Sequence, residues 1–262
     1  MPAVHGFQPH RVHPRFGPVF ELASRAEQGV PALVALLGGL LMDTQAVRRT
    51  EAHEETGRIA VCGFPRTGTT YLMHALELAL GGRTPAVKSH HALAVERLTA
   101  RKISTVLTLR DPASTIASWS LYHGDDPGIA LLRWRLATYT AWHRVALRAV
   151  QRHRLLVVPF SRFTGDTPAC VRMILEESCV PGPVAWPDFA TVARQTDAGT
   201  DQDSLRLERQ NLPSKERSRR AYAYVDLLNG AALAEPLRRA YEVALTLHEH
   251  AALLPARTGD SG

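Results

Sequence analysis

Lysine is almost missing from this chain. Of its 31 basic residues only Lys88, Lys102 and Lys215 are lysines, and the other 28 are arginines. Coding bias in a GC-rich bacterial genome is the plainer cause of such an Arg-rich, Ala-rich composition. A forked guanidinium nevertheless suits bidentate phosphate contact, so the positions of particular arginines matter more than their number. Cysteine is scarce too. Cys62, Cys170 and Cys179 are an odd set with no CxxC pair, which argues against a disulfide framework or a zinc site and fits reduced thiols in a cytosol. No HExxH or comparable metal-ligand spacing occurs. Long apolar runs are also absent. The most apolar stretch, Val30 to Met42, has 13 residues, short of the roughly 20 that a bilayer span needs. It lies too far along the chain, behind too polar a leader, for a secretory signal. A cytoplasmic protein with no transmembrane segment is expected.

The chain has 262 residues, 45% of them hydrophobic, enough for one substantial core. A net charge of +6 attracts phosphates, nucleic acid or anionic lipid. A nucleic-acid binder would carry a basic helix with interleaved aromatics or a known module; neither is visible, and no nucleic-acid partner is expected.

Residues 1–57 read as an irregular Pro- and His-containing arm followed by helices, 58–254 as the core of the same single domain, and 255–262 as a fraying tail. In the core, Arg58–Cys62 is a short apolar strand, Gly63–Gly68 a turn, and Thr69–Leu80 a helix with apolar residues at 72, 76, 79 and 80. Further strands are expected at Ala86–Lys88, Ser104–Leu109 and Arg154–Val158. Helices are expected from Pro112 to Leu121, Ile129 to Gln151, Pro168 to Glu177, and over 229–253. Pro181–Pro213 has little periodicity, and Asn211–Arg220 (NLPSKERSRR) reads as a basic loop. Strands alternating with helices predict an α/β fold. Its sheet should be mainly parallel, flanked by helices, and P-loop-like, with ligands at the carboxyl ends of the strands.

Three segments carry chemistry. The first is Gly63-Phe-Pro-Arg-Thr-Gly-Thr-Thr70. It has the G-x4-G spacing of a phosphate-binding loop, in which backbone N–H groups converge on an anion in front of a helix N-terminus. Thr69 stands where kinases place lysine, and the cation comes earlier, at Arg66. The second is Lys88-Ser-His-His91, where a lysine and a histidine two apart can project from a strand end toward one ligand. Histidine is the natural base near neutral pH. A polar surface turn is the bland alternative. The third is Arg110-Asp-Pro-Ala-Ser-Thr-Ile-Ala-Ser118. Arg110 closes a strand, and Ser118 lies two turns into the next helix, so the two could grip a second phosphate. Asp111 reads as the helix N-cap before Pro112 rather than as a magnesium ligand, because the Walker lysine is missing.

Together these segments resemble the sulfotransferase superfamily. GFPRTGTTYL resembles its 5′-phosphosulfate loop, KSH the K-[ST]-H of its cytosolic branch, and LRDPASTIAS its 3′-phosphate motif, in family order between Arg58 and Trp119. LVVPFSRF weakly resembles the family segment that follows. The resemblance implies 3′-phosphoadenosine-5′-phosphosulfate (PAPS) as the donor, 3′,5′-bisphosphoadenosine (PAP) as the product, and no metal. It implies that Pro65, Arg66, Thr67, Gly68, Thr69 and Thr70 form the 5′-phosphate cradle, with Arg66 on the leaving oxygen. Tyr71 would stack on adenine, Lys88 steady the sulfuryl group, His90 act as base, and Arg110 and Ser118 bind the 3′-phosphate. The Arg66 form of the loop is commoner in Golgi and bacterial branches, where a carboxylate can be the base, and His91 is the other alternative. The family's R-K-G element has no counterpart here; Lys215 and Arg217 are the candidates to replace it, and a solvated charge run is the plainer reading of their loop. The acceptor is expected to be a small-molecule or glycoside hydroxyl, met by the N-terminal segment, by 122–145 with Trp134 and Trp142, or by 181–213. An oligomer is left open, since the cytosolic branch's dimerisation motif is not evident. The competing functions are a P-loop kinase and a non-catalytic nucleotide-binding protein.

Overall fold

A computed structural model of the chain describes residues 59–81, 87–123, 128–153, 155–180, 186, 188–198 and 215–252. The expected arm and helices of 1–57, most of 181–213 and the tail 255–262 lie outside the described residues.

Four parallel strands form the sheet: β1 (Ile59–Gly63), β2 (Val87–Ser89), β3 (Ser104–Leu109) and β4 (Leu156–Pro159), in the order β2-β1-β3-β4. Register is set by pairs such as Val61 with Lys88 and with Val106, and Leu107 with Val157. Strand side chains alternate between faces, and here both faces are buried. Ile59, Val61, Val106, Leu156 and Val158 join one apolar cluster; Ala60, Cys62, Leu107, Leu109 and Val157 join the other. This explains why β1 and β4 read as continuous apolar runs rather than alternating ones.

Helices cover both faces. Against Ile59 and Val61 lie α1 (Thr69–Ala79), α5 (Phe160–Gly165), α6 (Thr167–Glu177) and α7 (Phe189–Ala198). Against Ala60 and Cys62 lie α2 (Ala92–Ala100), α3 (Pro112–His123), α4 (Ile129–Arg152), α8 (Lys215–Leu228) and α9 (Ala234–Ala252). Fully burying a Leu or Ile such as Leu72 or Ile116 contributes about 1.5–3 kcal/mol each, so the two clusters dominate the stability. No described helix is long and apolar enough to cross a membrane.

The strand order positions the site. From β1 the chain turns through α1 to β2 on one side, then returns through α2 on the opposite face to β3 on the other side of β1. The carboxyl ends of β1 and β3 therefore flank a crevice from which successive connections diverge, the place where open parallel sheets bind ligands.

Four helices were not expected from sequence. In α2 the residues that bury are Ala94, Val95 and Leu98, a short apolar face. α5 is a six-residue turn after Pro159, and α7 falls inside the stretch that reads as aperiodic. Over 215–220, α8 corrects the basic-loop reading of 211–220, whose first four residues lie outside the described residues: its charges mask an amphipathic helix, with Arg219 and Arg220 exposed and Tyr224 and Leu228 buried on the face toward the core. Lys215 and Arg217 thus stand in the first turn of a helix; their side chains lie outside what the structure describes.

Candidate functional site

The Gly63–Gly68 loop leaves β1 and enters α1 without a side-chain cap, and no acidic residue sits in the first turn of α1. The positive end of the helix thus has no acidic side chain of its own first turn to complement it. Two glycines are required. A Cβ at Gly63 would overlap Thr108 Oγ1 and crowd Thr67 Oγ1 and Thr69 Cγ2, and Gly68 takes φ 88° with Phe163 where a side chain would go. Arg66 holds φ 70°, a left-handed conformation uncommon for a residue with a Cβ.

Thr67 is an internal strut. Its hydroxyl lies 2.7 Å from Phe64 O and 2.8 Å from Thr108 Oγ1, and its N–H donates to Phe64 O at 3.2 Å. Thr67 and Thr69 are both buried, whereas Pro65, Arg66, Gly68 and Thr70 are half-buried on the loop's outer side. The loop thereby locks onto β3.

The first and third segments meet. Arg66 Nε donates to Ser118 Oγ at 3.3 Å, and Arg110 Nη1 donates to the Arg66 carbonyl at 3.1 Å. Each guanidinium also lies over a ring: Arg66 over Tyr122 at 4.8 Å, Arg110 over Phe160 at 4.4 Å. Burial lowers the Arg110 pKa, with Asp111 opposing; an arginine remains charged regardless. Asp111 accepts from Ser114 N–H at 2.7 Å with one carboxylate oxygen and from Tyr241 O–H at 2.5 Å with the other. It caps α3 and ties α9 to the turn, consistent with the cap reading.

The second segment closes the other side. Lys88, beside Val61 in register, donates from Nζ to Thr70 Oγ1 at 3.1 Å. Solvent reaches this lysine, yet the protein around its ammonium is enough to lower its pKa by desolvation. His90 Nδ1 lies 2.8 Å from the Gly63 carbonyl oxygen. Burial pushes the His90 pKa down to about 4; the Gly63 bond opposes this, and Lys88, His91 and Arg66 add to it. His91 precedes α2 as its N-cap residue, with its N–H on Ser89 Oγ at 3.2 Å.

Sequence reading missed the back of the site. Tyr139 O–H donates to the Arg110 carbonyl at 2.8 Å, and Trp142 Nε1–H donates to the His90 carbonyl at 2.7 Å. Both rings, with His143, also pack around the Phe64 ring of the loop, at 5.2, 6.0 and 5.7 Å between centroids. One face of α4 therefore holds all three segments. The signal was the aromatic cluster Y-x-x-W-H on a predicted helix, read only as an acceptor surface. Trp142 is buried here, a strut rather than a pocket wall.

Tyr71 also departs from expectation. Its ring is buried, stacked on Phe163 at 6.1 Å with its O–H paired to Thr167 Oγ1 at 2.8 Å. It belongs to the core under α1, not to a surface on which adenine could stack. The remaining expected residues, Arg66, Lys88, His90, Arg110 and Ser118, lie with the loop at or just beyond the carboxyl ends of β1, β2 and β3, joined by the contacts above. No protein-family model matches the chain, and no curated protein matches it in sequence.

Proposed function

We propose that this chain is a PAPS-dependent sulfotransferase with a P-loop-like nucleotide fold, transferring a sulfuryl group to a hydroxyl of a small-molecule or glycoside acceptor. The observation that carries this reading is the linkage of Arg66 to both Ser118 and Arg110, at 3.3 and 3.1 Å. It joins the loop suited to a 5′-phosphosulfate and the pair suited to a 3′-phosphate in one crevice. The donor set fits such a ligand: two arginines, a lysine, hydroxyls and an uncapped helix N-terminus suit a nucleotide with anionic groups at two ends. Tyr71 is not part of that set.

PAPS supplies, when bound, a sulfuryl group already activated on its 5′-phosphate. The chain's own work is positioning and charge complementarity. Arg66 and Lys88 face the charge that builds on the departing phosphate oxygen; removing one such preorganised donor typically costs about 2.7–4 kcal/mol of barrier. His90 receives the acceptor's hydroxyl proton. Because a carbonyl only accepts, the Gly63 bond requires the hydrogen on Nδ1, so the lone pair is on Nε2. General-base help of this kind is typically worth about 10²–10⁴-fold.

The kinase reading is weaker. Thr69 replaces the lysine it needs, and the Asp111 carboxylate already serves Ser114 and Tyr241. The deciding experiment is calorimetric titration with bisphosphoadenosine against ADP and ATP, in EDTA. Tight binding that depends on the 3′-phosphate supports the sulfotransferase. Magnesium-dependent preference for ATP overturns it in favour of a kinase, and binding of none of the three overturns the nucleotide site itself.

A further inference from the structure

Arg66 is an unusual place for an arginine. Its backbone sits at φ 70°, which glycine or asparagine would adopt more readily. A long side chain there gains nothing for the loop's conformation, so its reason lies in where the guanidinium goes. It goes to one face of α3. Nε bonds Ser118 Oγ at 3.3 Å, and one turn further along the same helix the Tyr122 ring lies 4.8 Å below Cζ. Ser118 and Tyr122 are four residues apart, so they share a helical stripe. A hydroxyl at the near end of the guanidinium and a π-face beneath it restrict where it points. An arginine otherwise explores many rotamers, and binding an anion with it means giving that freedom up. A cation held over an aromatic face has lost much of it beforehand.

We propose that Tyr122 is a positioning residue for Arg66: its ring holds the guanidinium over its face and beside Ser118, so that the arginine is set for an anion at the carboxyl ends of β1 and β3 before that anion arrives. The inference rests on the donor-site reading above for the identity of the anion, but not for the contact itself. Sequence comparison of motifs does not reach this residue, because Tyr122 lies beyond the Arg110–Ser118 segment.

Two measurements on the full chain test it. In the first, the Arg66 Nε–H resonance is identified by its loss in Arg66→Lys. It should be shifted upfield by the ring and should return to the ordinary arginine position in Tyr122→Leu. Tyr122→Phe, which keeps the ring, should preserve the shift and guards against a variant that merely unfolds. In the second, bisphosphoadenosine affinity is measured in a double-mutant cycle. Tyr122→Leu should weaken binding about two- to tenfold when Arg66 is present and leave it unchanged in an Arg66→Ala background, with Tyr122→Phe within twofold of the parent. An Arg66 resonance indifferent to Tyr122→Leu overturns the proposal. So does a loss of affinity equal in both backgrounds, which marks a purely structural tyrosine. A resonance that behaves as expected in a chain that binds no bisphosphoadenosine upholds the positioning role and overturns the donor reading instead.

Discussion

The His90 imidazole is bonded to the first residue of the glycine loop: its Nδ1 is 2.8 Å from the Gly63 carbonyl oxygen. One contact therefore fixes the tautomer of the candidate base and joins the loop after β1 to the loop after β2. Replacing His90 with alanine is expected to abolish transfer and leave bisphosphoadenosine binding intact, since the ring bonds the loop's start and not its phosphate-facing side. Full activity in that variant would move the base to His91 or a carboxylate.

The same ring makes stability depend on pH. Its folded-state pKa, about 4, lies below the ordinary 6.5, so the unfolded chain takes up a proton first as pH falls. The contribution of the neutral ring is complete above pH 6.5 and is lost progressively as pH drops toward 4. His143 acts in the same direction: burial pushes its pKa down to about 3, and its buried Nε2 has no hydrogen-bond partner among the described residues. The denaturant midpoint is expected to fall between pH 7 and pH 4.5, with a shallower fall in His90→Gln. An equally steep fall in that variant would show that His90 is not held neutral.

Anion binding should reverse part of that depression. Lys88 and Arg66 both lower the His90 pKa, and a phosphate between them cancels their field at the ring. An NMR titration of His90 is expected to move upward when bisphosphoadenosine is present, which brings the base closer to working pH. An unchanged titration would place the anion elsewhere.

Arg110→Ala should weaken bisphosphoadenosine binding more than ADP binding, by about 1.5–3 kcal/mol, the range for a hydrogen bond to a charged group. Arg110→Lys should rescue little, because a compact ammonium cannot both reach the Arg66 carbonyl and cover the Phe160 ring. Equal losses for the two nucleotides would remove Arg110 from the 3′-phosphate site.

Asp111→Ala tests the cap against the magnesium reading. Loss of the Ser114 and Tyr241 bonds is expected to lower stability by about 0.5–2 kcal/mol, as for other N-caps, with no change in how nucleotide binding responds to magnesium. A lost magnesium response would restore the kinase.

Much of the site was legible because it is local. A strand, a G-x4-G turn and a helix follow one another within Ile59–Ala79, and Asp111-Pro112 announces α3 by a cap that needs only its neighbours. Short-range sterics and hydrogen bonding decide such segments wherever the chain folds them. Lys215 and Arg217 show the limit. Charge density made their stretch read as a loop, while its helical state depends on Tyr224 and Leu228 burying against the core shared with α3 and α9.

What the sequence determined by itself, then, is the parallel α/β alternation, the loop and the three segments that begin at the carboxyl ends of β1, β2 and β3. Tertiary structure alone decided that Tyr71 belongs to the core, because its partners Phe163 and Thr167 arrive some ninety residues later. It alone decided that His90 is neutral with Nδ1 protonated, and that Tyr139 and Trp142 brace the site from behind. A side chain's protonation and exposure are set by what surrounds it, and those surroundings come from elements distant in the chain that only packing brings together.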